Sequence, residues 1–481
     1  MQQSVRDRFK KFLTLGGTSL ALIAGATAVQ AQTTTQTTPG ELPGESNPGE
    51  EPVFTRAGSW LFQPQITVGM IFDDNIFVEP TNEVSDLIFV VKPRVGVQTN
   101  LPRHGISAFV EGDIGLYLDH GDTDNYYDWR TGVEGMLDVT RLWKVKLGVN
   151  YEDGHEPRGE DESVVGSAPI EPVDKDIFEV YVSSQARFSR VILRSKLSYK
   201  LFDFSDADRN GGGVLEQDDR DRDIFTAESQ MVFDFAEIYR PFIEVSVQSI
   251  NYDKLDFARY FVEEDDPNVM GDDPSAADTL SDADFVGVNR DGNRYTAELG
   301  VEIDFTGVLF GEFKAGYIRR TFDDPKTITY TTNDAVTSLP KDAFFTAPQL
   351  DTIDGPRLYG SLTYLPSQIS SIDLVVQREV GETTLTTASG FTTTDVLLAG
   401  QYEIERNLTV GAHFGYTTRT YENLVGSDRE DDWIRAGLGG TYDFTRNYSL
   451  NARYEYWDRD STDNQFDYKR NIASVTFTAK L

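Results

Sequence analysis

The stretch GISAFVEGDIGLYL, Gly105 to Leu118, alternates in polarity almost without a break. Ile106, Ala108, Val110, Gly112, Ile114, Leu116 and Leu118 fall on one face; Ser107, Glu111, Asp113 and Gly115 fall on the other. Period two is the mark of a strand whose faces meet different surroundings. The pattern recurs in PQITVGMIF (64–72), TAELGVEIDF (296–305) and NIASVTFTAKL (471–481). About eighteen such segments, bounded by turn residues, run along the chain. They begin near Gln63, Phe89, Ile106, Tyr127, Trp143, Phe178, Val191, Phe225, Pro241, Tyr295, Leu309, Leu358, Ile372, Val396, Leu408, Ile434, Tyr448 and Tyr468. Each spans about ten residues or more, whereas a soluble strand typically has about five or six and a tilted membrane strand about ten.

The connections alternate in length. Short ones fall at 101–104, 139–142, 188–190, 306–307, 405–407 and 445–447, and long ones at 153–175, 205–221, 253–291, 323–355 and 421–432. Outer-membrane barrels have this rhythm of tight periplasmic turns and larger external loops. An even strand count puts both termini in the periplasm. Three turns resemble one another: DVTRLW (138–143), EIERNL (403–408) and DFTRNY (443–448). They read as hairpins, with Asn or Gly supplying positive φ where it is needed.

The charged face decides between a soluble sandwich and a membrane barrel. A sandwich would bury its apolar face; a barrel turns that face to lipid and satisfies every backbone group by closure. The polar faces here carry too much charge for a sandwich interior. Aromatic residues on the apolar faces also gather near strand ends, among them Trp60, Trp143, Phe188 and Tyr402 by the short turns. Phe72, Tyr127, Trp129 and Tyr295 lie by the long loops. Two aromatic girdles are expected at the two membrane interfaces. The expected fold is therefore all-β: an antiparallel transmembrane up-and-down β-barrel of about 18 strands.

Before the first strand, Arg6, Arg8, Lys10 and Lys11 precede an apolar run from Phe12 to Ala28. Val29 and Ala31 then occupy the −3 and −1 positions of a cleavage site before Gln32. This is a secretory signal pattern. The organisation expected is a signal peptide at 1–31, a flexible Thr/Pro/Gly/Glu linker at 32–57 and a barrel over 58–481. The linker is too short and polar to plug a wide barrel as a folded domain. No later stretch approaches the ~18 apolar residues of a membrane helix, so insertion must use strands.

A first strand ending in FDDNIF (72–77), then SDLIFVVKPRVGV (85–97) and RHGISAFVEGDIGLY (103–117), all behind a signal peptide and a polar linker, resemble the second putative outer-membrane β-barrel porin family. The resemblance covers nearly the whole mature chain and carries no catalytic signature. It implies a Gram-negative outer-membrane barrel. About eighteen strands can leave an aqueous channel, so the expected function is passive or channel-type passage of hydrophilic solutes. Some members occur in exopolysaccharide loci, which implies polysaccharide export as an alternative. A structural or adhesive surface barrel without an open pore is the rival from another class.

The chain has a formal charge of −35 and no cysteine. The acidic excess argues against nucleic acid as a partner, and the lack of thiols removes disulfides and thiolate catalysis. Expected partners are membrane lipid, lipopolysaccharide, the barrel assembly machinery, and a polysaccharide or small hydrophilic solute. Lys144, Lys146, Arg187, Arg194, Lys196 and Lys200 form a candidate basic stripe on the lumen face, and Glu111, Asp113, Glu298 and Glu302 are candidate acidic groups. Opposed stripes would orient charged solutes; cross-strand ion pairs would instead fill the lumen. The acidic stretch 262–284 reads as a solvated external loop, without the spacing of a Ca²⁺ loop.

Histidines are few: His104, His120, His155 and His413. No nucleophile motif, phosphate loop or metal-spaced cluster accompanies them, so no catalytic, cofactor-binding or metal-ligating residue is expected. In FDDNIF itself, Asp73, Asp74 and Asn75 read as the solvated start of the first external loop.

Overall fold

The computed structural model describes residues 55–481 except 102, 159–170, 209–213, 216, 237, 254–288, 306, 325–326, 331–342, 347–349, 382, 384–387 and 424–428. The signal segment 1–31 with its Ala31–Gln32 junction, the linker up to residue 54 and the acidic stretch 262–284 lie outside the described residues. Eighteen long antiparallel strands form the wall. They are β1 (Trp60–Asp73), β2 (Asp86–Thr99), β3 (Gly105–Tyr117), β4 (Tyr126–Thr140), β5 (Trp143–His155) and β6 (Asp174–Phe188). Next come β7 (Val191–Phe204), β8 (Arg222–Phe233), β9 (Tyr239–Tyr252), β10 (Gly292–Phe305), β11 (Leu309–Phe322) and β12 (Ile353–Ser367). The last six are β13 (Ser370–Gly381), β14 (Ala388–Glu405), β15 (Leu408–Asn423), β16 (Glu430–Thr445), β17 (Tyr448–Ser461) and β18 (Tyr468–Lys480). Each pairs with its sequence neighbours and β18 pairs with β1, so the sheet closes on itself.

Every expected strand is present. Starts beside the short turns agree to within about three residues, and Trp143, Val191, Leu309, Leu408, Tyr448 and Tyr468 begin their strands as read. Starts beside the long loops come earlier: β14 begins at Ala388 and not near Val396, β12 at Ile353 and not near Leu358. These strands rise past the apolar slab, where both faces can be polar and alternation fades while backbone pairing continues.

The two faces divide as the alternation requires. Ile66, Val68, Met70 and Phe72 of β1 are exposed to the outside, as are Leu299 of β10 and Leu438 of β16. On the inside, Gln230, Glu244, Glu298, Lys314, Arg453 and Glu455 are buried. The aromatic residues near strand ends, including Trp60, Phe188, Tyr402, Tyr127, Trp129 and Tyr295, are exposed on the outer face.

The short turns use a different device from the one expected. Neither Asn407 nor Asn447 has positive φ; among the described short turns between neighbouring wall strands that value falls at Ser189 and Gly307. A register shift occurs instead just before the turn, at Asp138/Thr140, Glu403/Glu405 and Asp443/Thr445. In two of these turns a threonine hydroxyl accepts the turn's backbone N–H: Thr140 from Leu142 at 3.2 Å and Thr445 from Asn447 at 3.1 Å. The hydroxyl and the bulge make these hairpins. Asn447 contributes otherwise, donating from Nδ2 to the Lys480 carbonyl at 2.7 Å.

Closure depends on FDDNIF. Nine residue pairs join β1 to β18, from Gln65 opposite Lys480 to Asp73 opposite Ile472. At the end that carries the long connections Asp73 accepts two hydrogen bonds from Arg470, one from Nε at 2.8 Å. Asp74 accepts from the Asn471 backbone N–H and side-chain amide, both at 2.6 Å. The Asn75 amide donates to the Lys469 and Glu79 carbonyls, each at 2.9 Å. Asp73 and Asn75 are 1% and 0% exposed, so the expected solvated loop start is corrected: the segment is a clasp between the first and last strands. Ile71, Val78, Ile88, Val90, Trp457, Tyr468 and Ile472 pack together beside it. At the opposite end Thr55–Ala57, expected to belong to the linker, pair with Trp60–Phe62 of β1. They cover an edge that β18 does not reach, as exposed strand edges require.

Removing one partner of a buried ion pair costs about 3–5 kcal/mol, because the other charge is left uncompensated. Asp73→Ala should therefore lower the temperature at which the folded barrel converts to its unfolded band in semi-native electrophoresis. Asp73→Ala combined with Arg470→Met should recover part of the loss. An unchanged transition for the single variant would show that the clasp contributes nothing.

Candidate functional site

The inner wall gathers the charged half of the alternation, and most of that charge is paired. In β2–β4, Lys92 meets Asp113 at 2.8 Å, while Arg94 and Arg130 both meet Glu111, at 2.8 and 3.0 Å. The candidate acids Glu111 and Asp113 thus face the interior with cations on them. These pairs are partly exposed, where an ion pair is worth about 0–1 kcal/mol.

The candidate basic residues also sit on the inner face. They do not form an uninterrupted stripe. Lys144 and Arg194 lie in one cross-strand row with Gln185 between them, and Lys146 and Lys196 lie in the next with Ser183 between. Acids interleave: Lys146 meets Glu134 at 2.9 Å and Lys196 meets Glu179 at 3.3 Å. Arg187 pairs with Asp234, and Arg194 reaches Glu302 three strands away. Lys200 lies 4.8 Å from the centre of the Phe202 ring. Lys144 is exposed to the interior.

The row continues from Arg194 through Gln230, Glu244, Glu298 and Gly316 to Arg357. Glu244 stands directly opposite Glu298, an arrangement of like charges that destabilises a sheet unless a cation joins them. Lys314 is that cation, 2.8 Å from Glu244 and 3.6 Å from Glu298. Arg357 completes the set at 2.5 Å from Glu298. Position 316 must be glycine for this packing, since a Cβ would lie 2.7 Å from both Cα and Cγ of Glu298. Glu302, the remaining candidate acid, is held by Arg194 and by Arg240 at 2.9 Å.

On β14–β18 the inner wall carries residues that the sequence reading passed over. Arg419 lies over Phe391 at 4.0 Å and Trp433 at 5.0 Å; Arg459 lies over Trp433 at 4.6 Å and Phe466 at 5.4 Å. Arg429 lies over Phe466 and Tyr421, and Arg435 and Arg470 lie over Trp457. Cation–π contact of this kind is worth roughly 0.5–2 kcal/mol and fixes the plane of each guanidinium. Alternation in DDWIRAG (431–437) and RYEYWDRD (453–460) does place Trp433 with Arg435, and Trp457 with Arg459, on one face. That was the available signal.

At the end of the barrel that carries the long connections, His120 Nδ1 meets Asp86 at 2.9 Å, and the same carboxylate accepts backbone N–H groups from Asp119 and His120. His155 pairs with Asp128 at 2.9 Å. These contacts shape loops. The connection after β5 reaches inward across the mouth: Arg158 lies 5.0 Å from the Phe77 ring and accepts from Arg470 through its carbonyl at 3.3 Å. Glu156 of the same connection pairs with Arg220 after β7.

A family model described as Putative beta-barrel porin 2 matches residues 47–266, 277–336 and 342–481. The chain belongs to the Putative beta-barrel porin 2 family. It is a porin-like barrel of the outer membrane. No curated protein matches the chain. Among solved structures it is similar to the copper transporter OprC, at 12% identity and a TM-score of 0.44 over 89% of this chain and 82% of that one. It is similar to OpdK of Pseudomonas aeruginosa at 12% identity and 0.42, over 87% and 99%. It is also similar to OpdL of Pseudomonas aeruginosa at 10% and 0.42, over 88% and 100%.

The porin's inner wall gives a graded expectation. Arg357→Ala strips Glu298, which is 2% exposed, of its nearest cation and should cost about 3 kcal/mol. Arg94→Ala touches an exposed pair and should cost under about 1 kcal/mol. Urea midpoints of the folded band would rank the two; equal midpoints would contradict the assignment of the Glu298 network as buried.

Proposed function

We propose that the protein gives hydrophilic solutes passive, channel-type passage across the outer membrane. One observation carries this: a closed ring of eighteen strands whose inner face gathers the charged side chains of the wall, with apolar clusters confined to patches between them. At about this strand number a barrel is wide enough to enclose an aqueous channel. Membership of a porin family supports the same assignment. Both chain ends lie on the periplasmic side, with the two- to five-residue turns, and the long loops face outward. The wall acts by electrostatics and not by catalysis. Its paired charges hydrate the channel, while the low-dielectric barrel focuses the field of any charge left over. Lipopolysaccharide surrounds the external girdle, and the barrel assembly machinery inserts the chain.

Reconstitution into planar bilayers tests the proposal. Discrete conductance steps in potassium chloride are expected, and Glu111→Lys should shift the reversal potential in a salt gradient toward anions. A barrel that is folded by electrophoretic mobility yet carries no current would overturn channel passage in favour of a structural surface role.

A further inference from the structure

The inner face of β16 runs Trp433, Arg435, Gly437, Gly439 toward the periplasm. Across the sheet Arg435 stands opposite Gly415 of β15 and Trp457 of β17; Gly437 stands opposite His413 and Glu455. Gly411 is opposite Gly439. Glycine at four inward positions of two neighbouring strands makes a patch without side chains of its own in a wall otherwise built of long ones. Within the patch the His413 ring and the Glu455 carboxylate lie over Gly437, 2.4 and 2.6 Å from where a Cβ would stand.

Unengaged donors border it. The Arg435 guanidinium lies 4.8 Å from the centre of the Trp457 ring, and among the described residues no carboxylate or carbonyl engages it. The Trp433 indole N–H, one step up the same face, is buried without a partner, and Trp433 is 1% exposed. His413 Nδ1 is likewise unpartnered, with Nε2 held by Glu455 at 3.1 Å. The acids facing this wall are already matched. Asp431 is bound by Arg429 and Arg459, Glu455 by His413 and at 3.8 Å by Arg453, and Asp73 by Arg470. A guanidinium held over an indole, with no acceptor of its own, keeps its terminal N–H fork free. That fork fits the two oxygens of a carboxylate or phosphate.

We propose that the donors bordering this patch form an oxyanion-binding subsite: Arg435, held on Trp457, takes the carboxylate or phosphate group of a hydrophilic solute, and the Trp433 N–H takes a further oxygen. The subsite rests on the channel assignment for its role in transit, but binding itself does not need an open pore.

The test separates the two. Tryptophan emission of the folded barrel in detergent micelles is titrated with citrate and, separately, with inorganic phosphate, for the wild type, Arg435→Gln and the turn variant Arg446→Gln. A saturable change at about millimolar probe is expected for the wild type and Arg446→Gln. At least a tenfold weaker response is expected for Arg435→Gln, with its folded electrophoretic band retained. Saturation by citrate alone assigns a carboxylate and by phosphate alone a phosphate; both support the subsite. No saturation in the wild type, or equal saturation in Arg435→Gln, overturns it. In bilayers citrate should interrupt the wild-type current and spare that of Arg435→Gln. Binding in micelles with no current in any bilayer would remove channel passage and leave the subsite standing.

Discussion

The barrel depends on one junction that no hairpin holds. Seventeen of its strand pairs join neighbours in sequence, where a turn or loop limits the search. The eighteenth joins β1 to β18, and Asp73 must find Arg470 across 397 residues. A β-sheet in lipid cannot leave that edge open, since unsatisfied backbone groups in hydrocarbon cost several kcal/mol each. The Asp73–Arg470 pair, the Asp74–Asn471 bonds and the Asn75 bond to Lys469 fix the register of the seam. The apolar cluster around Ile71, Ile88 and Trp457 keeps water from the buried charges. A one-residue slip here would turn every side chain of β1 to the wrong face.

Given a closed ring, its inside and outside follow from alternation, and the lumen's character follows from charge. The wall of β2–β13 balances acids with nearby bases, down to Lys314 placed between two facing glutamates. The wall of β15–β18 is different. Arginines lie on aromatic rings on both sides of the barrel, but here Arg435 on Trp457 faces the interior without a carboxylate. In a chain of net charge −35, that sector is where an anion would meet the least repulsion.

Lipid on one side and water on the other make strands legible from sequence, which is why GISAFVEGDIGLYL and its counterparts located all eighteen. Legibility ends where that contrast ends. Residues 388–395 pair as strand above the apolar slab, where ASGFTTTD shows no period. The TRN turns were visible as a repeat, but the working atom is the threonine hydroxyl before the turn, not the asparagine. FDDNIF looked solvated because its partners are distant in sequence; nothing local marks Asp73 as buried. The candidate lumen residues were all placed on the inner face by alternation. Some of their ion pairs, such as Arg194 with Glu302 and Arg357 with Glu298, join non-adjacent strands and could not be read from any segment. Trp433 and Arg435 share a face by the same alternation, yet only the fold brings Trp457 against Arg435.

The most direct test of this account exploits the absence of cysteine from the chain. Single cysteines placed along β3 in the membrane-embedded protein report which face meets water. A charged, membrane-impermeant maleimide should modify Glu111→Cys and Asp113→Cys through the lumen and spare Val110→Cys and Leu116→Cys on the lipid face. Uniform labelling, or labelling of the apolar positions in preference, would contradict a closed barrel with a hydrated, charged interior.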